Sequence, residues 1–115
     1  MIIKVEIRDG IKVIHLKGES YVSTAGELRK SFVKELDKCD EPHIVLDLKE
    51  VEYFTSDEIG VVVELQKRLD ERGGKLRICQ VGDTLLELLR ILRLDTILKI
   101  DETLEQSLES YDMES

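Results

Sequence analysis

The chain has 115 residues, 17 of them basic and 25 acidic, giving a net charge of −8 at pH 7. That size is one domain whose core needs no disulfide staples, and the acidic balance disfavours nucleic acid and anionic membrane surfaces, whose recognition requires clustered lysine and arginine. No apolar run approaches the roughly 18 residues of a membrane span, the N-terminus lacks a signal-peptide apolar region, and Cys39 and Cys79 have neither CxxC nor small-secreted-domain spacing, so a cytoplasmic, reduced setting is expected.

In chain order, Ile3, Val5 and Ile7 alternate with Lys4, Glu6 and Arg8, and Asp9-Gly10 separates this run from Ile11-Lys-Val-Ile-His-Leu-Lys17. An Asp-Gly pair between two β-rich runs predicts a type I′ hairpin and hence two antiparallel strands. Gly18 to Val22 reads as a loop. Thr24 and Glu27 have capping-box spacing ahead of a helix whose Leu28, Phe32 and Leu36 share a face and which ends near Cys39, before Pro42. His43-Ile-Val-Leu-Asp-Leu48 is a third, mostly apolar strand.

Val51-Glu-Tyr-Phe-Thr-Ser-Asp-Glu-Ile-Gly60 then passes from strand to helix. Ile59, Val62, Val63, Gln66 and Leu69 recur at helical spacing, Asp57 and Glu58 sit in the first turn, Lys67, Arg68 and Arg72 in the last, and Gly73-Gly74 stops the helix. Two residues compete for the N-cap: Ser56, and Thr55 with Glu58 three residues on. Lys75-Leu-Arg-Ile-Cys79 is a fourth strand, and strands that follow helices are expected to be parallel. Asp83 is read as the cap of a third helix through Leu92, Ile97 to Ile100 as a short fifth strand, Asp101 as the start of a last helix carrying Leu104 and Leu108, and the tail from Tyr111, residues 112–115 above all, as frayed.

The predicted fold is therefore a single α/β domain over residues 1–115, with a sheet of about five strands, an N-terminal antiparallel hairpin and the remainder parallel. About four helices lie mainly on one face, because Ile14, Leu16, Ile44, Leu46, Leu48, Leu76 and Ile78 form wholly apolar rows while the alternate positions are half polar. The pairs Leu85-Leu86 and Leu88-Leu89 exceed one narrow helical face, which means deep packing or an exposed patch. Enzyme motifs are missing: there is no GxGxxG, phosphate-binding Gly-rich loop, HExxH or Gly-x-Ser-x-Gly. His15 and His43 stand alone, without metal-site spacing, and neither is placed by the sequence as a base for Ser56.

The hairpin, the order of elements, Gly18-Glu19 after the second strand and the segment Val51 to Val61 together resemble the STAS domain of the anti-sigma factor antagonist type, over nearly the whole chain. That family's motif reads Asp-Ser-Ser-Gly-Leu-Gly-Val, and its first serine is phosphorylated by a kinase that is also the anti-sigma factor. Ser56 falls on that serine, Gly60 and Val61 match the end of the motif, and Thr55, Asp57, Glu58 and Ile59 stand in place of its Asp, second Ser, Gly and Leu. Gly18-Glu19 resembles the start of the family's Gly-Glu-Leu/Ile-Asp loop, with Tyr21, after Ser20, where the family has Asp.

The resemblance implies a non-enzymatic, cofactor-free protein whose partner is an anti-sigma factor with serine kinase activity. Docking would use Glu19, Ser20, Tyr21, Thr55, Ser56, Asp57 and Glu58. Phosphorylation at Ser56, with Thr55 as second candidate, would end it by setting charge beside Asp57 and Glu58. The alternative is a non-switching STAS interaction module, a scaffold or transporter-associated subunit, in which Ser56 only caps the helix. A small-molecule or nucleotide sensor has no visible phosphate cradle to support it.

Overall fold

The structure is a computed structural model and describes residues 2–18, 24–38 and 43–113. Asp9 and Gly10 both adopt positive φ, 52° and 80°, as a type I′ turn requires. They join β1 (Ile2–Arg8) to β2 (Ile11–Gly18) in an unbroken antiparallel register from Ile2 opposite Lys17 to Arg8 opposite Ile11. The chain continues through α1 (Ala25–Leu36), β3 (His43–Val51), α2 (Ser56–Glu71), β4 (Lys75–Cys79), α3 (Asp83–Ile91), a 3-10 turn (Leu94–Thr96), β5 (Lys99–Asp101) and α4 (Leu104–Met113). The strands lie in sequence order, and β2 through β5 are mutually parallel. The expected α/β architecture, hairpin included, is the observed one.

Strand alternation sorts the side chains into two cores. Ile14, Leu16, Ile44, Leu46, Leu48, Leu76 and Ile78 pack against Leu28, Phe32 and Leu36 of α1, against Ile59, Val62, Leu65 and Leu69 of α2, and against Leu85 and Leu89 of α3. On the other face Val13, Val45 and Cys79 meet Leu104 and Tyr111 of α4. Most helices thus share one face, as the half-polar rows predict, and α4 alone covers the apolar part of the other. Burial raises the Cys79 thiol to about 12, so it serves there as a small apolar group. In α3 the leucine pairs split: Leu85 and Leu89 are buried, Leu86 and Leu88 half-buried.

Three expected helix starts are corrected. Thr24 precedes α1, but its side chain makes no cap bond there and its hydroxyl instead donates to Glu58 Oε2 at 2.7 Å. Gly82, not Asp83, occupies the N-cap of α3. Asp101 ends β5 rather than opening α4, because Arg77 grips it with two bonds of 2.8 Å and the Ser107 hydroxyl donates to it. The cap of α4 falls to Thr103, which accepts the Gln106 N–H while the Gln106 side chain accepts the N–H groups of Glu102 and Thr103.

The last helix is also anchored beyond the point where fraying was expected. Tyr111 is buried, stacks on His43 with ring centroids 5.2 Å apart, and donates its hydroxyl to the carbonyls of Ile44 (2.7 Å) and Lys75 (2.9 Å) at the start of β3 and β4. Tyr111→Phe removes the one hydroxyl proton that these two carbonyls share and is expected to lower stability by about 1–2 kcal/mol, read as a lower urea midpoint with an unchanged slope.

Candidate partner-docking site

The site forms where β3 leaves the sheet. Between Asp47 and Glu50 the pairing of β3 with β2 shifts: His15 faces Asp47, yet Lys17 faces Glu50, so β3 carries one residue more than β2 over this span. Asp47 Oδ1 accepts the Lys49 N–H at 3.0 Å and the Gln80 side-chain amide at 2.9 Å, fixing the bulge from inside. Its other oxygen, Oδ2, accepts from His15 Nδ1 at 2.7 Å, and His15 Nε2 donates to Glu6 Oε1 at 2.6 Å. With a carboxylate on each ring nitrogen, the geometry is that of an imidazolium. Burial opposes that charge, but the hydrogen bonds to Glu6 and Asp47 and the attraction of both carboxylates outweigh it and raise the His15 pKa above its ordinary 6.5.

Past the bulge, Val51 and Phe54 turn into the main core and Tyr53 turns out, 54% exposed. Thr55 is extended (φ −71°, ψ 164°) and is the N-cap of α2. Its hydroxyl accepts the Glu58 N–H at 3.2 Å and Glu58 Oε1 accepts the Thr55 N–H at 2.9 Å, closing a reciprocal capping box. Of the two candidates for the cap, Thr55 holds it, and the reading of Ser56 as a cap is set aside. Ser56 is the first residue of the helix, exposed, followed by exposed Asp57. The N–H groups of these first-turn residues have no partner within the helix and lie at the positive end of its dipole.

Glu58 corrects another expectation. It is 0% exposed, so it cannot present its side chain to a docking partner or crowd a charge on Ser56 from the surface. Its carboxylate is turned inward between Thr55 and Thr24. That second contact brings the end of the β2–α1 connection against the mouth of α2, and the helices run on side by side through Arg29–Glu64 (2.9 Å) and Arg72 Nη1 to the Leu36 carbonyl (2.8 Å). Glu19, Ser20 and Tyr21 lie outside the described residues. Their flanking positions, Gly18 at the end of β2 and Thr24 beside Glu58, lie at the carboxyl end of the parallel strands, as Ser56 does. Thr24 and Tyr53 are the site residues that sequence reasoning missed; the bulge in β3 breaks the alternation that would have marked Tyr53, and nothing local marked Thr24.

No imidazole serves Ser56. His15 is held by Glu6 and Asp47, and His43 begins β3 while Ser56 follows its far end. Among the described residues, no three His, Cys, Asp or Glu side chains gather as metal ligands and no helix is long and apolar enough to cross a membrane. What the arrangement offers is an exposed hydroxyl on a rigid helix start, beside an acidic residue and an exposed aromatic ring.

Residues 3–107 match the sequence profile of the STAS domain. The chain belongs to the STAS domain family. A curated relative within reach of this STAS domain is the anti-sigma F factor antagonist of Paenibacillus polymyxa, 28% identical over 98 residues, which are 85% of this chain and 84% of that protein. An anti-sigma-factor antagonist STAS domain protein from Planctomyces limnophilus superposes with a TM-score of 0.84 at 21% identity, covering 94% of this chain and 96% of that one. The phosphorylated form of the Bacillus cell-fate determinant SpoIIAA superposes with a TM-score of 0.72 at 15% identity over 96% of this chain and 99% of that one. At those identities the two structures establish the shared fold.

Two outcomes test the STAS site as described. Glu58→Ala removes the acceptor of both the Thr55 N–H and the Thr24 hydroxyl and should cost about 2–3 kcal/mol, with faster hydrogen exchange at the first-turn amides of Glu58 and Ile59. Because the His15 pKa is raised, its contribution is complete below 6.5 and fades as pH climbs from there through the raised value. The stability difference between the parent protein and His15→Gln should therefore be largest below pH 6.5 and shrink above it, as followed by urea titration across pH.

Proposed function

We propose that this protein is a cytoplasmic anti-sigma factor antagonist that binds an anti-sigma factor with serine kinase activity through the surface around the start of α2, and that phosphorylation at Ser56 ends the binding. The observation that carries the reading is the division of labour at that helix start: Thr55 does the capping, which leaves the exposed Ser56 hydroxyl without a structural task among the described residues. The curated relative's role as an anti-sigma F factor antagonist supports the partner class. Ser56 is favoured over Thr55 as acceptor because the Thr55 oxygen already accepts the Glu58 N–H, so a phosphate there would break the capping box. Glu19, Ser20, Tyr21 and Asp57 complete the proposed docking surface, with Tyr53 added as an aromatic contact of the kind that anchors interfaces.

Electrostatics supply the switch. A phosphoserine carries about −1.5 to −2 charges, and it would adjoin exposed Asp57 while Glu58 stays enclosed behind it. The helix dipole returns roughly 0.3–1 kcal/mol. Unit charges ~4 Å apart interact by about 1 kcal/mol in water and more once a partner excludes it, so an unpaired phosphate in the interface exceeds the dipole's help. About 1.4 kcal/mol is tenfold in affinity. No change of fold is needed.

A second reading rests on Thr55 and Tyr21, which replace acidic residues of the resembled motif: a non-switching STAS interaction module in which Ser56 is a plain surface residue. Calorimetry against the cognate anti-sigma factor separates the two. The switch requires Ser56→Asp to bind at least about tenfold more weakly while Ser56→Ala binds like the parent, and intact mass after incubation with that kinase and ATP should show one phosphate on the parent and none on Ser56→Ala. Equal affinities for the Asp and Ala variants would remove the switch and leave the module.

A further inference from the structure

We propose that the free edge of β1 pairs with the same edge of a second copy, joining two sheets through antiparallel β1 strands centred on Val5. This rests on the hairpin and not on the docking site. The sheet has two edges, β5 with three residues and β1 with seven. Long free edges are commonly blunted by proline, a bulge, a covering element or charged side chains, lysine above all. β1 has no proline, its register with β2 is unbroken and no described element covers it; it does carry Lys4, Glu6 and Arg8, but their signs are mixed, and Val5 and Ile7 are 42% and 69% exposed on the side of the sheet that α1 and α2 cover elsewhere.

The hairpin determines which backbone groups are available. The turn spans two residues, so its flanking pair, Arg8 and Ile11, exchanges both hydrogen bonds, and bonded pairs alternate from there. Arg8, Glu6, Lys4 and Ile2 therefore aim their N–H and C=O groups at β2, while Ile7, Val5 and Ile3 aim theirs away from the sheet. A two-fold antiparallel pairing must centre on one residue. Centred on Lys4 it sets lysine against lysine, and centred on Glu6 it sets glutamate against glutamate; both are disfavoured.

Centred on Val5, every position from Ile3 to Ile7 is complementary, and only the end pair, Ile2 with Arg8, is indifferent. Val5 meets Val5, Ile3 meets Ile7 twice, and on the other face Lys4 meets Glu6 twice, while the outward groups of Ile3, Val5 and Ile7 pair in full. Lys4 is in no salt bridge among the described residues, and Glu6, which holds His15 and Arg8 through Oε1, keeps its side chain 40% exposed. The apolar row would meet its own image, which is the requirement for an isologous interface. Opposite charges facing twice across the axis commit the occupant to a second copy of this chain.

The test is sedimentation velocity from micromolar to millimolar protein, with any tag at the C-terminus. The parent is expected to form a reversible dimer that weakens with salt. Lys4→Glu places two like-charge pairs across the axis and should weaken it about tenfold or more. Val5→Pro removes an N–H that points away from β2, so the fold is kept while dimerisation falls to a similar extent. Mixing Lys4→Glu with Glu6→Lys should yield a heterodimer stronger than either variant's self-association. A parent that stays monomeric over the whole range, or a dimer that neither Lys4→Glu nor Val5→Pro weakens, overturns the proposal.

Discussion

The geometry of the site depends on one enclosed carboxylate. Taking Glu58 out of water is costly unless its oxygens find donors, and here both do: Oε1 accepts the Thr55 N–H and Oε2 the Thr24 hydroxyl. Those contacts join three pieces of chain that are remote in sequence or differ in conformation: the loop leaving β3, the first turn of α2 and the start of α1. Because the first two close a reciprocal cap, the helix can begin in only one place, and Ser56 is left on its outer rim. The same residue type that looks like surface acidity in the sequence is, in three dimensions, the internal tie that keeps the surface in order.

Around that tie, the fold divides labour between its two faces. α1, α2 and α3 cover the wholly apolar rows, and the parallel alignment of α1 with α2 is pinned near both ends by Thr24–Glu58 and Arg72–Leu36. α4 covers the other face over β3 and β4, where Tyr111 ties two strands and Arg77, Asp101 and Ser107 form a bonded cluster beneath it. Toward β1 that face carries charge instead, the Glu6–His15–Asp47 chain lying across three strands. Glu6 titrates below the ordinary carboxylate range, chiefly through its bond to His15, so the two partners stabilise each other's charged form.

What could be read from the sequence follows the range of the interactions. The Asp9-Gly10 turn, the leucine and isoleucine rows and the Thr55–Glu58 spacing are decided by residues a few positions apart, and these signals pointed to the right fold and the right helix start. Thr24 with Glu27 had the same local spacing and failed, because a partner 34 positions away claimed the hydroxyl. Asp101 failed likewise, its carboxylate taken by Arg77 on the neighbouring strand. Tyr111 resembled a tail residue because its acceptors, the carbonyls of Ile44 and Lys75, become neighbours only after the sheet has formed. Within the site, the cap pattern narrowed the helix start to Thr55 or Ser56 but did not choose between them, and the inward turn of Glu58 was not legible at all.

The additional residue in β3 has a consequence for phase. Strict alternation from Val45 and Asp47 would send Val51 to the α4 side, yet Val51 pairs level with Gly18 and is buried in the main core with Phe54. The half-step inserted between Asp47 and Glu50 therefore inverts the inside–outside pattern of everything that follows up to the helix. Removing the extra residue would leave Glu50 and Val51 level with Lys17 and Gly18 and on the faces they now occupy, whereas keeping every residue and flattening the bulge would turn Val51 toward the α4 side. The bulge is thus the device by which β3 carries one more residue toward the helix start without changing which way its end faces.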